Sequence, residues 1–246
     1  MIRVGVLGAK GRMGHTVCEA IKNADGLELV AALDAGDNLS QLVEAQAQVV
    51  VDFTVPESVM DNLEFLLSHN IHAVVGTTGW TDSRLEQVRT WQASSEANVL
   101  IAPNFGVAAV LMMLFAAKAA PYFDSVEIVE QHHPRKADAP SGTARRTAEL
   151  IGQARRDAGS HPMPDATRDQ LDGARGAVID DVHIHSVRLM GLVAHQEVIL
   201  GGPGESLTIR HDSYDRESFM PGVVLGIREV AAHQGVTYGL EHLLNL

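Results

Sequence analysis

The chain has 246 residues, 46% of them hydrophobic, which is enough for one large α/β domain or two smaller ones. Its formal net charge of −12 excludes nucleic acid as a partner, because phosphate groups would meet an unfavourable field over most of the surface. The single cysteine, Cys18, excludes an intramolecular disulfide, and neither a signal peptide nor an apolar run of about 18 residues is recognisable, so we expect a cytoplasmic protein with no membrane partner.

Short apolar runs alternate with amphipathic stretches over the first hundred residues, a pattern typical of βαβ units. Strands are predicted at Ile2–Leu7, Leu27–Leu33, Val49–Phe53, Ala73–Val75 and Val99–Ile101. Helices are predicted at about Met13–Ala24, Val59–His69 and Ser83–Ala93. Because the strands are apolar throughout, as strands covered on both faces are, the sequence predicts an α/β fold with a doubly wound parallel sheet.

The pattern changes after Phe105, where a helix rich in small residues, Val107–Ala120, precedes Pro121. Longer strands of one sheet are predicted at Val126–Glu130, Val182–Leu189, Val193–Leu200 and Leu207–His211. One helix, about Thr143–Arg156, lies among them, and Asp157–Asp180 is predicted to be a surface loop. The tail from about Ser218 to Ala232 returns to helical spacing and is expected to pack on the first domain.

A glycine-rich turn directly follows the first predicted strand. Gly8-Ala9-Lys10-Gly11-Arg12-Met13-Gly14 leads into the first helix, the context in which a dinucleotide pyrophosphate binds. The spacing is G-x-x-G-x-x-G rather than the commoner G-x-G-x-x-G. The glycines let backbone amides approach a phosphate, and the helix N-terminus adds partial positive charge. The alternative is a glycine-rich turn without a ligand.

An acidic residue ends the second predicted strand. Asp34 follows Gly14 by 20 residues (34 − 14 = 20), where a carboxylate accepts the hydroxyl groups of the adenosine ribose, and this favours NADH. Lys10 and Arg12 lie in the neighbouring turn and can neutralise a 2′-phosphate, so we expect the chain to use NADH or NADPH. Alternatively, Asp34 is only a turn residue before Gly36.

Two further loops follow strands of the predicted parallel sheet, at the edge where such sheets bind ligands. They are Gly76-Thr77-Thr78-Gly79 and Ala102-Pro103-Asn104-Phe105. Their hydroxyl, amide and backbone groups can hold the nicotinamide ribose and carboxamide. Each is equally well an ordinary connecting loop.

A polar segment from Glu130 to Thr143 brings together two imidazoles and two cations, and Pro134 and Pro140 keep it from forming a helix. His133, Lys136 and the start of the helix that follows, Ser141-Gly142-Thr143, predict an anion site suited to a dicarboxylate. Hydride addition to a conjugated imine leaves a carbon that must take up a proton. His132 is the candidate general acid, because imidazole titrates near neutrality. The alternative is a solvated, charged turn.

The glycine-rich turn, the two loops after strands and the polar segment from His132 to Thr143 together resemble the 4-hydroxy-tetrahydrodipicolinate reductase family, formerly dihydrodipicolinate reductase. The most specific part is the HHxxKxDAPSGTA block that begins at His132. The resemblance implies a Rossmann-like dinucleotide-binding domain, 1–105 with 217–246, and an α+β substrate-binding and tetramerisation domain with a mixed sheet, 106–216. It also implies reduction of 4-hydroxy-tetrahydrodipicolinate, via dihydrodipicolinate, to tetrahydrodipicolinate in diaminopimelate and lysine biosynthesis, by a homotetramer.

The resemblance also implies roles for individual residues. His132 is the implied proton donor and Lys136 a second catalytic donor, while the substrate carboxylates fall to His133, Lys136, Ser141, Gly142 and Thr143. The implied cofactor-binding residues are Gly8, Ala9, Lys10, Gly11, Arg12, Met13, Asp34, Gly76, Thr77, Thr78, Ala102, Pro103, Asn104 and Phe105. Members that favour NADPH commonly carry an arginine directly after the acidic residue, whereas this chain has Ala35.

Other classes of protein remain as alternatives. A dehydrogenase acting on an amino acid or a semialdehyde can share this two-domain plan, although it has no need of the His132 and Lys136 segment. A nucleotide sensor would keep the glycine-rich turn but would not need a proton donor. His183 and His185 lie on one face of a predicted strand with no third ligand evident, so no metal site is predicted.

Overall fold

The computed structural model describes residues 1–244, so the last two residues of the predicted segment 217–246 lie outside the described part. The chain divides into two compact units, one formed by Met1–Val107 with the segment from Arg216 onward and the other by Ala108–Asp215. Each unit contains one β-sheet. Among the helices of residues 1–244, none is both long and apolar enough to cross a membrane.

The elements are labelled here in chain order. The strands are β1 (Ile2–Leu7), β2 (Leu27–Leu33), β3 (Val49–Asp52), β4 (His72–Val75), β5 (Val99–Ile101), β6 (Ser125–His132), β7 (Ala177–Ile179), β8 (Val182–Arg188), β9 (Ala194–Gly202), β10 (Glu205–Ser213) and β11 (Val236–Tyr238). The α-helices are α1 (Arg12–Asn23), α2 (Ser40–Glu44), α3 (Val59–Ser68), α4 (Asp82–Gln92), α5 (Val107–Ala119), α6 (Gly142–Asp157) and α7 (Met220–Glu229).

The sheet of the first unit has six strands in the order β11-β5-β4-β3-β1-β2, and every neighbouring pair is parallel. Its central strands carry fully buried valines and leucines, which explains their uninterrupted apolar runs. The predicted doubly wound parallel sheet is therefore confirmed. Because β2 and β3 pair on opposite sides of β1, the topological switch point lies between β1 and β3, where sheets of this type bind ligands.

The sixth strand, β11, was not predicted. It comes from the chain terminus and pairs Val236 with Val99 at the edge of the sheet. Three half-exposed or exposed residues give too short a pattern to recognise, and only the pairing partner makes them a strand. The helix predicted at Ser218–Ala232 is present as α7 with short 3-10 turns on either side.

The second unit contains a mixed sheet in the order β10-β9-β6-β8-β7, in which β6 and β8 are parallel and the other pairs are antiparallel. Helix α6 packs on one face of this sheet. The buried side chains of that face and helix are Val126, Ile128, Ile184, Val198, Leu200, Ala148 and Ile151. Strand β7 lies within the predicted loop 157–180, and β6 extends two residues beyond its predicted end at Glu130.

A buried arginine holds the end of α6 to the chain segments around it. The guanidinium of Arg155 donates to the carbonyl oxygens of Ala120 (3.0 Å), Asp124 (3.3 Å) and His161 (2.9 Å), and also to that of Phe123. A buried cation is tolerable when it is fully hydrogen-bonded, and here four carbonyl groups share it. Arg155 therefore connects the helix to the turn before β6 and to the loop after α6.

We expect Arg155→Ala to lower the free energy of unfolding of the second unit by about 3 kcal/mol, because several buried carbonyl groups lose their donor. The neighbouring Arg156 is exposed and pairs with Asp180 at 3.3 Å, so Arg156→Ala serves as the matched control with a change of about 0.5 kcal/mol or less. Urea unfolding followed by circular dichroism measures both changes. Equal destabilisation by the two variants would contradict this role of Arg155.

Candidate active site

The glycine-rich turn lies at the switch point of the parallel sheet, directly after β1. Gly8 has a φ of +79°, and a Cβ atom there would lie 2.4 Å from the carbonyl oxygen of Phe53. At Gly14 a Cβ atom would lie 2.0 Å from the carbonyl oxygen of Gly8, so only glycine lets α1 approach the turn this closely. The start of α1 consequently points its first amide groups at the turn, as a phosphate-binding turn requires.

Asp34 lies beside this turn, after β2. Its carboxylate accepts hydrogen bonds from the backbone N–H groups of Ala35 (2.8 Å) and Lys10 (2.7 Å). Both hydrogen bonds lower the pKa of Asp34, and the bond from Ala35 has the larger effect. Each carboxylate oxygen retains a lone pair for a further donor. Asp34 is therefore held ionised against the glycine-rich turn, as a ribose hydroxyl acceptor must be.

A cavity of about 670 Å³ joins these features within the first unit. Its lining includes Gly8, Gly11, Asp34, Ala35 and Asp37. Glycine-lined walls, backbone donors at a helix start and an ionised acceptor fit an adenine dinucleotide, so the residues present suit the cofactor that the sequence predicts. The side chains of Lys10 and Arg12 are exposed beside the turn.

A second buried carboxylate connects the loops that follow β3 and β4. Oδ1 of Asp52 accepts from the hydroxyl groups of Thr77 (2.6 Å) and Thr54 (2.7 Å), while Oδ2 accepts from the Asn62 amide (2.8 Å). The Thr77 hydroxyl also accepts from the Thr54 N–H at 2.8 Å. The Thr77 hydroxyl proton is therefore donated to Asp52. The Gly76 N–H donates to the Asp52 carbonyl oxygen at 2.9 Å and the Thr77 carbonyl oxygen accepts from the Trp80 ring at 2.7 Å, so the loop is held by backbone bonds as well.

The loop after β5 is fixed by packing. The Ala102 N–H donates to the Val75 carbonyl oxygen at 3.0 Å, and the Phe105 ring is buried against Phe53 with 5.7 Å between ring centroids. The Asn104 side-chain oxygen accepts from the Gly106 N–H at 2.8 Å, and Pro103 is exposed. The loops after β1, β3, β4 and β5 thus all meet at one edge of the parallel sheet, as their positions after strands predicted.

In the second unit, a fully buried carboxylate organises the polar segment. Oε2 of Glu130 lies 2.5 Å from Nδ1 of His132. The two terminal nitrogens of Arg188 donate to its two oxygens at 2.9 and 2.8 Å. Burial alone would raise the pKa of Glu130, but hydrogen bonds from His132, Arg188 and Ser186 hold it at about 2. Glu130 is consequently a carboxylate at any physiological pH.

His132 belongs to a strand rather than to a loop. The predicted strand ended at Glu130, whereas β6 continues to pair with β8 and β9 through Gln131 and His132. Regular strand geometry puts Glu130 and His132 on the same face, two residues apart. This is why the carboxylate and the imidazole meet.

The loop that follows carries the predicted cations. Nζ of Lys136 lies 2.7 Å from Oδ1 of Asp138, while His133 is exposed. Burial opposes ionisation of Asp138, but the Lys136 ammonium and the Gly142 N–H lower the pKa of its carboxyl group. Arg188 also donates to the Asp138 carbonyl oxygen at 2.7 Å. Arg188 therefore ties this loop to the same buried carboxylate as His132.

The start of α6 adjoins this network. The Ser141 N–H donates to Oε1 of Glu130 (3.2 Å), and the Ser141 hydroxyl caps the helix by accepting from the Ala144 N–H (3.2 Å). Gly142 is exposed, and a Cβ atom there would meet nothing within 4 Å. The structure thus attaches His132 and Ser141 to one carboxylate, Glu130, while Lys136 pairs with Asp138 in the intervening loop and Gly142 and Thr143 follow Ser141 in the first turn of α6.

Glu130, Arg188 and Asp52 were missed as functional candidates from the sequence. The signal for Glu130 was available, since the alternation Val126, Ile128, Glu130 puts a carboxylate where the strand pattern demands an apolar residue. Arg188 gives no such signal, because only strand pairing brings it to Glu130. His183 and His185 do share a face of β8, and within residues 1–244 no group of three or more candidate ligands is arranged to hold a metal ion.

These two sites define a class of protein. A glycine-rich turn at the switch point of a parallel sheet, joined in one chain to a histidine that is paired with a buried carboxylate near a helix start, is typical of a nicotinamide-dependent oxidoreductase.

Comparison with known proteins identifies the family. The family model "Dihydrodipicolinate reductase, N-terminus" matches residues 2–105, and the model "Dihydrodipicolinate reductase, C-terminus" matches residues 108–244. The 4-hydroxy-tetrahydrodipicolinate reductase of Streptomyces griseus subsp. griseus is 61% identical over 246 residues, which are all of this chain and 98% of that protein. Its counterpart from Mycolicibacterium vanbaalenii is 60% identical over the full length of both chains.

Among solved structures, the dipicolinate-bound dihydrodipicolinate reductase of Paenisporosarcina sp. TG-14 superposes with a TM-score of 0.88 at 41% identity, covering 99% of this chain and 100% of that one. The chain belongs to the dihydrodipicolinate reductase family. The family resemblance inferred from the sequence is confirmed, and the N-terminal match implies a pyridine nucleotide as the cofactor.

Proposed function

We propose that this chain reduces 4-hydroxy-tetrahydrodipicolinate, via dihydrodipicolinate, to tetrahydrodipicolinate with hydride from NADH or NADPH, in diaminopimelate and lysine biosynthesis. The observation that carries the proposal is the attachment of His132 and the start of α6 to one buried carboxylate, which puts a proton donor next to an anion site. Membership of the family supplies the substrate, and the related structure with dipicolinate supports a small dicarboxylate.

Each substrate carboxylate would be recognised by donors of the second unit. The first-turn amide groups of Gly142 and Thr143 offer partial positive charge at the start of α6, and Ser141 keeps that turn in place through its cap. His133 and Lys136 would bind from the preceding loop. Because Asp138 lies 2.7 Å from the Lys136 ammonium and also accepts from the Gly142 N–H, a substrate carboxylate would share these two donors with Asp138 or take its place.

The proposed chemistry assigns one proton transfer to the chain. The bound nicotinamide cofactor supplies the hydride that adds to the conjugated imine. His132 donates the proton on Nε2 to the resulting enamine carbon, so that its N–H bond breaks as a C–H bond forms and the ring ends neutral. Lys136 would act as the second donor by relaying a proton that restores His132 after the transfer, or would bind a substrate carboxylate, so that one hydride and one proton are added in total.

The first unit would bind the cofactor through the residues predicted from the sequence. The pyrophosphate would lie over the turn from Gly8 to Met13, with the adenosine ribose on Asp34. The backbone of Gly76–Thr78 and of Ala102–Phe105 would hold the nicotinamide half. Dual use of NADH and NADPH is proposed because Asp34 accepts ribose hydroxyl groups, while Lys10 and Arg12 lie exposed beside the same turn.

We further propose that the protein is a homotetramer that works in the cytoplasm, assembled through the sheet of the second unit. The face of this sheet opposite α6 carries apolar side chains open to solvent, including Val178, Val187 and Ile199. Exposed apolar side chains on a contiguous sheet face are typical of a surface that a second subunit covers. The single buried cysteine suits a reducing compartment.

The reaction is tested by generating the substrate in situ from aspartate semialdehyde and pyruvate with the preceding synthase, and by following nicotinamide absorbance. The wild type is expected to oxidise the cofactor rapidly. His132→Gln is expected to lower kcat by about 10² to 10⁴-fold, because the general acid is lost, with cofactor binding unchanged. No oxidation with either cofactor would contradict the proposed reaction and direct attention to other imine and carbonyl acids.

Cofactor preference is tested at Ala35, which is exposed and lines the cavity beside Asp34. Ala35→Arg is expected to lower the KM for NADPH about tenfold, because a guanidinium pairs with the 2′-phosphate, and to change the KM for NADH little. Ala35→Gln is the matched control, since its side chain is long and polar but uncharged. An equal effect of the two variants on both cofactors would show that the 2′-phosphate does not lie at this position.

A further inference from the structure

Glu130 is a buried carboxylate that accepts hydrogen bonds from several segments of the second unit. It lies on the core face of β6, in line with Val126 and Ile128, where an apolar side chain would avoid desolvation. It accepts from His132, from both terminal nitrogens of Arg188 and from the Ser141 N–H. One carboxylate thus connects three separate segments of the second unit.

Stability alone does not account for this arrangement. Replacing a buried ion pair by apolar residues of similar volume is often neutral or stabilising, so a buried pair is weak support for a structural role. Arg188 also leaves its Nε atom buried and without a hydrogen-bond partner among the described residues, although its terminal nitrogens contact Glu130 and the Asp138 carbonyl oxygen. An unsatisfied buried group of this kind calls for a specific explanation, and a catalytic role is one of the recognised explanations.

The contact with His132 decides where the ring carries its proton. An ionised carboxylate is only an acceptor, so the imidazole nitrogen 2.5 Å from Oε2 of Glu130 must be a donor. That nitrogen is Nδ1. In the neutral ring the other nitrogen, Nε2, is then an acceptor, and in the protonated ring Nε2 carries the proton that can leave.

We propose that Glu130 is a positioning residue, held by Arg188, that fixes His132 in the Nδ1–H tautomer and presents Nε2 for proton transfer to the substrate. The proposal rests on the proposed function. When Nε2 gives its proton to the enamine carbon, Nδ1–H remains bonded to Glu130 and the ring becomes neutral without turning. The same carboxylate holds the Ser141 N–H, so the proton donor and the carboxylate-binding helix start keep a fixed separation.

The chain contains a matched control three residues earlier. Glu127 also lies on β6, and it too contacts one histidine, His185 (2.7 Å), and one arginine, Arg175. Positions three apart on a strand point to opposite faces, so Glu127 lies on the face opposite Glu130. Its side chain is partly open to solvent. Within residues 1–244 its side-chain contacts are to Arg175 and His185 rather than to the 133–140 loop. Glu127→Gln therefore removes a comparable Glu–His–Arg group away from the proposed reaction. Because Glu127 shares a sheet face with Ile199, in the surface proposed for subunit contact, the oligomeric state of this variant is checked first.

The experiment compares Glu130→Gln and Glu127→Gln in the coupled assay, after light scattering confirms an unchanged oligomeric state. Glu130→Gln is expected to lower kcat about 100-fold, because a neutral amide no longer selects one tautomer, with the KM for the imine changed less than about threefold. Glu127→Gln is expected to leave both constants unchanged. In a His132→Gln background, Glu130→Gln is expected to lower kcat less than about threefold, since its effect acts through His132.

The tautomer itself is read without turnover from ¹⁵N–¹H correlation spectra of histidine rings at alkaline pH, with His132 assigned by its loss in His132→Gln. The wild type should show only the Nδ1–H form, and Glu130→Gln should show a mixture. A wild-type ring in the Nε2–H form overturns the proposal even if Glu130→Gln does not fold. A 100-fold loss that persists in the His132→Gln background, or a loss shared by Glu127→Gln, also overturns it, whereas an inactive wild type contradicts the proposed function instead.

Discussion

The carboxylate of Glu130 is out of reach of solvent, and a carboxylate in such a position needs a donor for each lone pair that water would otherwise satisfy. The second unit meets this requirement with groups from β6, β8 and the start of α6. Meeting it fixes where β6 ends, how the His132 ring is oriented and where the helix begins. The candidate active site is therefore a consequence of satisfying one buried charge.

The candidate site of the first unit depends on a different constraint. The carboxyl ends of its parallel strands all lie at one edge of the sheet. Loops after β1, β3, β4 and β5 converge there, and Asp52 fixes two of them by accepting from Thr54 and Thr77. Close approach then leaves no room for a side chain at Gly8, which faces the loop after β3, or at Gly14, where α1 meets the turn. In both units a buried carboxylate holds the loops, so that backbone amide groups and exposed side chains remain available for ligands.

Much of this architecture could be predicted from the sequence because its causes are local. Apolar runs identified five of the six parallel strands, and the glycine-rich turn identified the switch point. The strands β7 and β11 were missed because three residues carry no period. Strand β11 also depends on a distant partner, since Val236 pairs with Val99, whereas β7 is recognisable only through its hairpin with β8. The end of β6 was missed for the same reason, since pairing with Arg188 extends the strand to His132.

The proposed site residues divide in the same way. His132, Lys136 and the Ser141–Thr143 helix start are contiguous in the chain, so their residue types could suggest a proton donor and an anion site. The pairing of Lys136 with Asp138 and the contact of Arg188 with Glu130 depend on side-chain geometry that no spacing encodes. The residues proposed to act directly could be found from the sequence, whereas those proposed to orient them required the structure.

The central claim is that one buried carboxylate orients both the proton donor and the anion-binding helix start. A crystal structure of this chain with dipicolinate tests it most directly. The account predicts a ligand carboxylate on the amide groups of Gly142 and Thr143 and on Lys136, with Nδ1 of His132 still on Glu130 and Nε2 facing the ligand ring. Dipicolinate bound away from the start of α6, or a His132 ring turned off Glu130 when the ligand is bound, would contradict it.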